Sequence, residues 1–262
     1  MPGTMPALFL GHGNPMNALA RNRYTEAWAA LAAGIPRPKA ILAVSAHWFV
    51  PETGVTIATA PRTIHDFGGF PRELYEVEYP APGDPALARR VQRLLEPVSV
   101  RLDESRGLDH GAWAVLRHMY PRADVPVVEL SIDETRPASF HYELGRRLAP
   151  LRDEGVLIAA SGNLVHNLHA YAWGRQGVEA FDWAVRFEKQ ARAMLLADEH
   201  APLVEYESLG QDAWLSIPTP EHYLPLLYAI GCRQERDPIR FPVEGVDGGS
   251  VSMLAVQVGG GA

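Results

Sequence analysis

Three histidines stand just beyond apolar runs, and a fourth stands at the start of a helical pattern. His12 lies two residues beyond the run Ala7–Leu10, within Gly11-His12-Gly13-Asn14-Pro15. His47 stands in the same relation to Ala40–Ser45, within Ser45-Ala46-His47-Trp48. His166 follows Val156–Ala160, inside Ser161-Gly162-Asn163-Leu164-Val165-His166-Asn167. Open α/β sheets bind ligands beyond the carboxyl ends of their strands, so imidazoles far apart in sequence can converge there. Gly11, Gly13 and Gly162 would permit sharp turns and close backbone approach. His222 follows Glu221 at the start of a helical pattern and can enter the same crevice. Neutral imidazole binds Zn, Fe, Cu and Ni, and three such ligands with an open position form a catalytic site. On the residues alone two readings stand. One is a mononuclear site of His12, His47 and His222, with or without His166; the other is a set of separate hydrogen-bonding histidines.

Two further histidines have chemical neighbours. His110, in Leu108-Asp109-His110-Gly111, begins a helical stretch beside a carboxylate, which suits acid/base work. The plainer alternative is a capping Asp109 with His110 exposed. His65, in Thr63-Ile64-His65-Asp66-Phe67-Gly68-Gly69-Phe70, could contact substrate or merely stabilise its loop. His118, His141, His169 and His200 read as surface or packing residues. Cys232 reads as structural. The sequence contains no GxxxxGK[ST], no GxGxxG after a strand and no GxSxG elbow.

The elements that must position these residues alternate. Strand-like runs are Ala7–Leu10, Ala40–Ser45, Val98–Leu102, Val125–Ser131, Val156–Ala160 and Val251–Val258. Several are continuously apolar, as strands buried on both faces of a sheet are. Helical patterns cover Thr25–Ala33, Pro85–Leu95, Gly111–Met119, Ala138–Leu148, Phe181–Leu196 and Glu221–Ile230. For the last, Thr219 is the expected cap, Pro220 the first turn and Gly231 the stop. The pattern predicts an α/β fold, one domain over residues 1–262, with a largely parallel or mixed central sheet flanked by helices. The Gly/Pro-rich stretch Pro61–Pro85 is long enough to be a lid or binding loop. Gly259–Ala262 is expected to be a disordered tail.

Composition narrows the function further. A chain of 262 residues with 47% hydrophobic residues and 21% charged residues suits a globular protein. A net charge of −7 and a pI near 5.8 remove the attraction that a nucleic-acid binder needs. No apolar run approaches the roughly 20 residues of a membrane span. The N-terminus lacks a secretory pattern, and a single cysteine excludes an internal disulfide framework. The expected location is cytoplasmic, and oligomeric state is not legible.

Six segments then occur in one order: Met5-Pro6-Ala7-Leu8-Phe9-Leu10-Gly11-His12-Gly13, Ser45-Ala46-His47-Trp48, Thr63 to Pro71, Leu108-Asp109-His110-Gly111, Ser161 to Leu168, and Pro218-Thr219-Pro220-Glu221-His222-Tyr223. Together they resemble the 4,5-DOPA extradiol dioxygenase branch of the class III, LigB-type ring-opening dioxygenases, over nearly the whole chain. The resemblance implies a LigB-like fold with one divalent metal per chain. It implies Fe(II) for dioxygenase activity, with Zn(II) able to occupy the site. His12, His47 and His222 match metal ligands, and Glu221 is an alternative third ligand because more distant relatives use a carboxylate there. His166 matches the acid/base histidine, and a fourth ligand in some zinc-occupied members. His110 matches a second active-site histidine, and Asn14 stands where many near relatives carry Ser. The implied partners are a catechol and O2, and the implied product is a muconic semialdehyde. A zinc hydrolase or a non-catalytic metal-binding protein on the same scaffold are the alternatives.

Overall fold

The computed structural model describes residues 4–175 and 177–260. Its strands are β1 (Ala7–Gly11), β2 (Ala40–Val50), β3 (Gly54–Thr56), β4 (Arg101–Asp103), β5 (Val127–Asp133), β6 (Val156–Gly162), β7 (Ile239–Val243), β8 (Val246–Asp247), β9 (Val251–Ser252) and β10 (Ala255–Val258). One mixed sheet runs β4-β3-β5-β2-β6-β1-β10-β7, and β8 pairs with β9 in a separate hairpin. The centre β5-β2-β6-β1 is parallel, while β10 and β7 join it antiparallel.

The parallel centre explains the continuously apolar runs. Successive residues of β1 enter opposite layers: Leu8 and Leu10 pack with Trp28 and Trp113, Ala7 and Phe9 with Phe187 and Tyr228. The same alternation holds for Ile41/Leu42 and Leu157/Ile158. Each fully buried side chain of this size contributes about 1.5–3 kcal/mol of transfer free energy. Helices Arg23–Ala33 and His110–Met119 cover one face; Pro85–Leu95, Ala138–Leu148, Asp182–Leu196 and Leu224–Gly231 cover the other.

Several expected boundaries move. The run expected as Val98–Leu102 forms its strand at Arg101–Asp103, and β3 and β7 were too short or too polar to stand out. The expected strand Val251–Val258 breaks at Met253, whose N–H donates to the Gly245 carbonyl. The last helix begins at Leu224, not Glu221, with Pro225 in its first turn and no side-chain cap from Thr219. The His222 carbonyl accepts from the Asn163 N–H at 2.9 Å, while the Leu226 N–H that would continue a helix from it donates to the Tyr223 carbonyl instead. Gly259 and Gly260 are not loose, since the Gly259 N–H donates to the Pro238 carbonyl and Gln257 Nε2 donates to both glycine carbonyls. Gly261 and Ala262 lie outside the described residues. No helix among the described residues is long and apolar enough to cross a membrane.

Candidate active site

Neighbouring strand ends deliver the first histidines. β1 pairs Gly11 with Gly162 of β6, and the His12 N–H donates to the Gly162 carbonyl at 3.1 Å. Gly13, directly beyond, takes φ +61, a left-handed conformation that glycine adopts without strain. In β2, Val44 pairs with Leu130 but Phe49 with Ile132, so the strand arches outward through Ser45–Trp48. His47 sits on that arch and not beyond the strand. Ser45 Oγ holds the arch, accepting from the His47 N–H at 3.2 Å and donating to Asp109 Oδ1 at 2.6 Å. Arg106 donates to the His47 carbonyl and to Asp109 Oδ2. Behind them Glu129 is fully buried, and that burial, followed by the neighbouring Asp109 carboxyl, pushes its carboxyl well above its ordinary value.

His222 arrives from the turn before Leu224. A Cβ on Gly162 would lie 2.2 Å from the His222 carbonyl oxygen, so only glycine allows this approach. Asp109 caps the helix His110–Met119 by accepting from the Ala112 N–H at 3.2 Å. The cap expected of Asp109 is present, but His110 is buried and faces the crevice instead of being exposed.

The rings gather closely. One nitrogen from each of His12, His47 and His222 lies within 4.8 Å of the others. His47 and His110 have ring centroids 3.9 Å apart, and His166 stacks on His222 at 3.5 Å and 10°. His166 groups instead with Glu221 and His222, while His47 groups with Asp66 and His110.

The outward ring nitrogens fix the inward ones. Ser161 Oγ donates its only hydrogen to the Gly111 carbonyl, so it must accept from His12 Nδ1–H, 2.9 Å away. His47 Nδ1 faces Asp66 Oδ2 at 3.3 Å, and His222 Nδ1 faces Glu221 Oε1 at 3.1 Å. Each arrangement leaves an Nε2 lone pair for the interior. His12 Nε2 and His47 Nε2 are 3.2 Å apart. Two imidazole nitrogens bound to one tetrahedral ion at about 2.0–2.1 Å stand about 3.3 Å apart. The donor set therefore fits a divalent metal.

Protonation does not compete with a metal at neutral pH. Burial, then His47 and His222, hold His12 well below its ordinary value. Burial and the neighbouring His110 bring His47 down to about 4. Burial also brings His166 to about 4, with Glu221 working against it. Asp66 behaves oppositely: burial works to raise it, yet its bond to His110 and the nearby His110 and His47 rings hold it well below the carboxylate range.

These residues line a cavity of about 230 Å³ whose walls include Phe67, Phe70, Tyr171 and Trp173. Asn14 lines it too, with its Oδ1 accepting from the Met16 N–H. His65 lies outside that lining; its Nε2 is bound to the Val77 carbonyl at 2.9 Å, and its ring backs Phe67 and Trp113. Cys232 is buried, donates to the Gly145 carbonyl, and has its thiol pushed up to about 12 by burial.

Sequence reasoning missed Asp66, Ser161, Tyr171 and Trp173. Asp66 carried a signal, as the carboxylate next to His65 in a Gly/Pro-rich loop. It accepts from the His110 backbone N–H at 2.9 Å and places its Oδ2 3.0 Å from His110 Nδ1.

Residues 8–243 match the family model described as the catalytic LigB subunit of aromatic ring-opening dioxygenase. The chain belongs to the LigB family. It is an enzyme of the aromatic ring-opening dioxygenase class. The Escherichia coli K12 protein named 4,5-DOPA dioxygenase extradiol is 54% identical over 259 residues, covering 97% of this chain and 95% of that one. The Beta vulgaris protein of the same name is 39% identical over 251 residues, 93% of this chain and 92% of its own length. A crystal structure of an Escherichia coli K12 protein, titled as uncharacterized, superposes with a TM-score of 0.85 at 50% identity, covering 97% of this chain and all of that one. The LigB fold thus accounts for the mixed sheet and its flanking helices.

Proposed function

We propose that this LigB-family chain cleaves a DOPA-like catechol beside its diol, using O2 at one divalent metal, to a muconic-semialdehyde-type product. His12, His47 and His222 hold the metal through Nε2. The observation that carries this reading is the inward pair His12 Nε2 and His47 Nε2, 3.2 Å apart with both Nδ1 atoms engaged outward. His222 is preferred to Glu221 as third ligand because His222 groups with His12 and His47, whereas Glu221 groups only with His166 and His222. Fe(II) would supply the one-electron chemistry that lets O2 react with a catechol, which Zn(II) lacks.

The chain's own residues supply proton handling and enclosure. His166 is neutral at physiological pH and can take a catechol hydroxyl proton on a ring nitrogen, then return it. Its place in a separate set from His12 and His47 favours the acid/base role over that of a fourth ligand. His110, with Nδ1 on Asp66, offers Nε2 to the substrate oxygen. Phe67 and Phe70 wall the reacting ring from water.

The test is the structure of the product formed by the iron-loaded chain from a simple catechol. A semialdehyde supports the proposal. A dicarboxylic acid, or a product formed without O2 by the zinc-loaded chain, overturns it.

A further inference from the structure

Asn14 stands on the cavity wall two residues beyond His12, and its amide has a fixed orientation. The Met16 N–H donates to Asn14 Oδ1 at 2.9 Å, so the acceptor of the amide is occupied within its own turn. Nδ2 and its two hydrogens remain on the other side. The amide reaches the Tyr171 hydroxyl, which itself donates to Asp247 Oδ2 at 2.7 Å and therefore meets Asn14 as an acceptor. Tyr171 takes one amide hydrogen and leaves the second for a ligand. Among the described residues, the backbone N–H groups of Gly13 and Asn14 have no acceptor either. This stretch of wall offers hydrogen-bond donors.

The place of Asn14 decides which part of a substrate it meets. His12 and His222 are buried at the floor of the cavity, whereas Tyr171 packs on Trp173, 4.6 Å between ring centroids, and Trp173 is 58% exposed at the opening. An amide beside Tyr171 faces the substituent that points outward from a catechol, not the diol at the floor. A divalent metal there brings positive charge that the ionised diol offsets, so net charge does not select the substituent. Among the described residues, no lysine or arginine lines the cavity, and Asp66 is engaged by His110. Recognition of the outward group falls to directed hydrogen bonds. Donors select an acceptor, and a carboxylate accepts about twice as strongly as a neutral group.

Resting on the ring-cleavage reading above, we propose that Asn14 is a specificity-determining residue of this cavity, donating from Nδ2 to the side-chain carboxylate of a DOPA-like catechol. The competing explanations are that Asn14 only closes its own turn or that it donates to the diol. In either case the side chain of the catechol is irrelevant to it.

Binding to the zinc-loaded full chain separates these without requiring turnover. The probes are 3-(3,4-dihydroxyphenyl)propionate and 4-propylcatechol, which differ at the end of the side chain, measured by calorimetry. The propionate should bind about tenfold tighter than the propyl compound, and L-DOPA should follow the propionate. Asn14→Asp keeps an acceptor for the Met16 N–H and replaces the donors with a negative oxygen. It should weaken the propionate by about 100-fold and leave the propyl compound within about threefold of its wild-type affinity. Asn14→Ala should bring the two probes within about twofold of each other. Equal affinities in the wild-type chain, or equal losses for both probes in the two variants, would each overturn the proposal. Failure of both probes to bind would remove the catechol site itself and the ring-cleavage reading with it. Absence of ring cleavage in the iron-loaded chain, with the predicted order of affinities intact, would count against the reaction alone.

Discussion

His12 Nε2 and His47 Nε2 lie 3.2 Å apart, both turned inward because Ser161 and Asp66 occupy the opposite ring nitrogens. Two neutral imidazoles so disposed present lone pair to lone pair. The arrangement is unfavourable by itself and becomes favourable when a cation is shared. On the metal reading, Ser161 and Asp66 would tune the affinity that the histidines supply.

Ser161→Ala and Asp66→Asn should each weaken Zn(II) binding by about 10- to 100-fold while leaving the fold intact. Competition with a chromophoric chelator reads this directly. Asp66→Asn should be the more damaging for turnover, because it also releases His110. Unchanged affinity in both variants would mean that the ring orientations are fixed by packing alone.

Ligand and acid/base roles separate by substitution. His12→Ala, His47→Ala and His222→Ala should lose tight metal binding and activity together. His166→Ala should retain the metal and lose at least about 100-fold in turnover. A His166→Ala variant of normal activity would remove it from proton transfer.

Gly162→Ala should cost about 1–3 kcal/mol, and more if the backbone cannot shift, because the new Cβ falls 2.2 Å from the His222 carbonyl oxygen. Chemical denaturation measures the loss. Metal affinity should fall with it, since the shift that relieves the clash moves His222.

His141 gives a pH dependence independent of the metal. It is fully buried on the helix Ala138–Leu148, with Nδ1 2.9 Å from the Tyr228 hydroxyl, and burial brings it to about 4. Between the ordinary histidine value near 6.5 and about 4, the unfolded chain binds a proton that the folded chain refuses. Stability therefore rises with pH across that window and falls as acid is added, by about 3 kcal/mol from this residue. Melting curves of the metal-free chain should show the slope, and His141→Asn should reduce it even though that variant is less stable throughout.

Much of this was legible in the sequence because the histidines adjoin apolar runs, and buried parallel strands reveal their own ends. His12 and His166 were placed correctly relative to β1 and β6 for that reason. His47 was read as lying past its strand, because the outward arch of β2 at Ser45–Trp48 depends on Asp109 and Arg106, far away in sequence. The start of the last helix was misjudged because Thr219-Pro220 is a good cap pattern, and the claim of Asn163 on the His222 carbonyl is a tertiary contact. Asp66 stood beside the His65 that drew attention, but its partners His47 and His110 come from other elements. Tyr171 and Trp173 lie in a turn without periodicity, where pattern carries no information.

The central claim is tested most directly by oxygen uptake. The metal-free chain is reconstituted anaerobically with Fe(II), mixed with a catechol, and exposed to a known amount of O2. One O2 consumed per catechol, with a yellow ring-opened product and no uptake by the zinc-loaded control, is the predicted result. Full Fe(II) occupancy with no uptake on any catechol would contradict it.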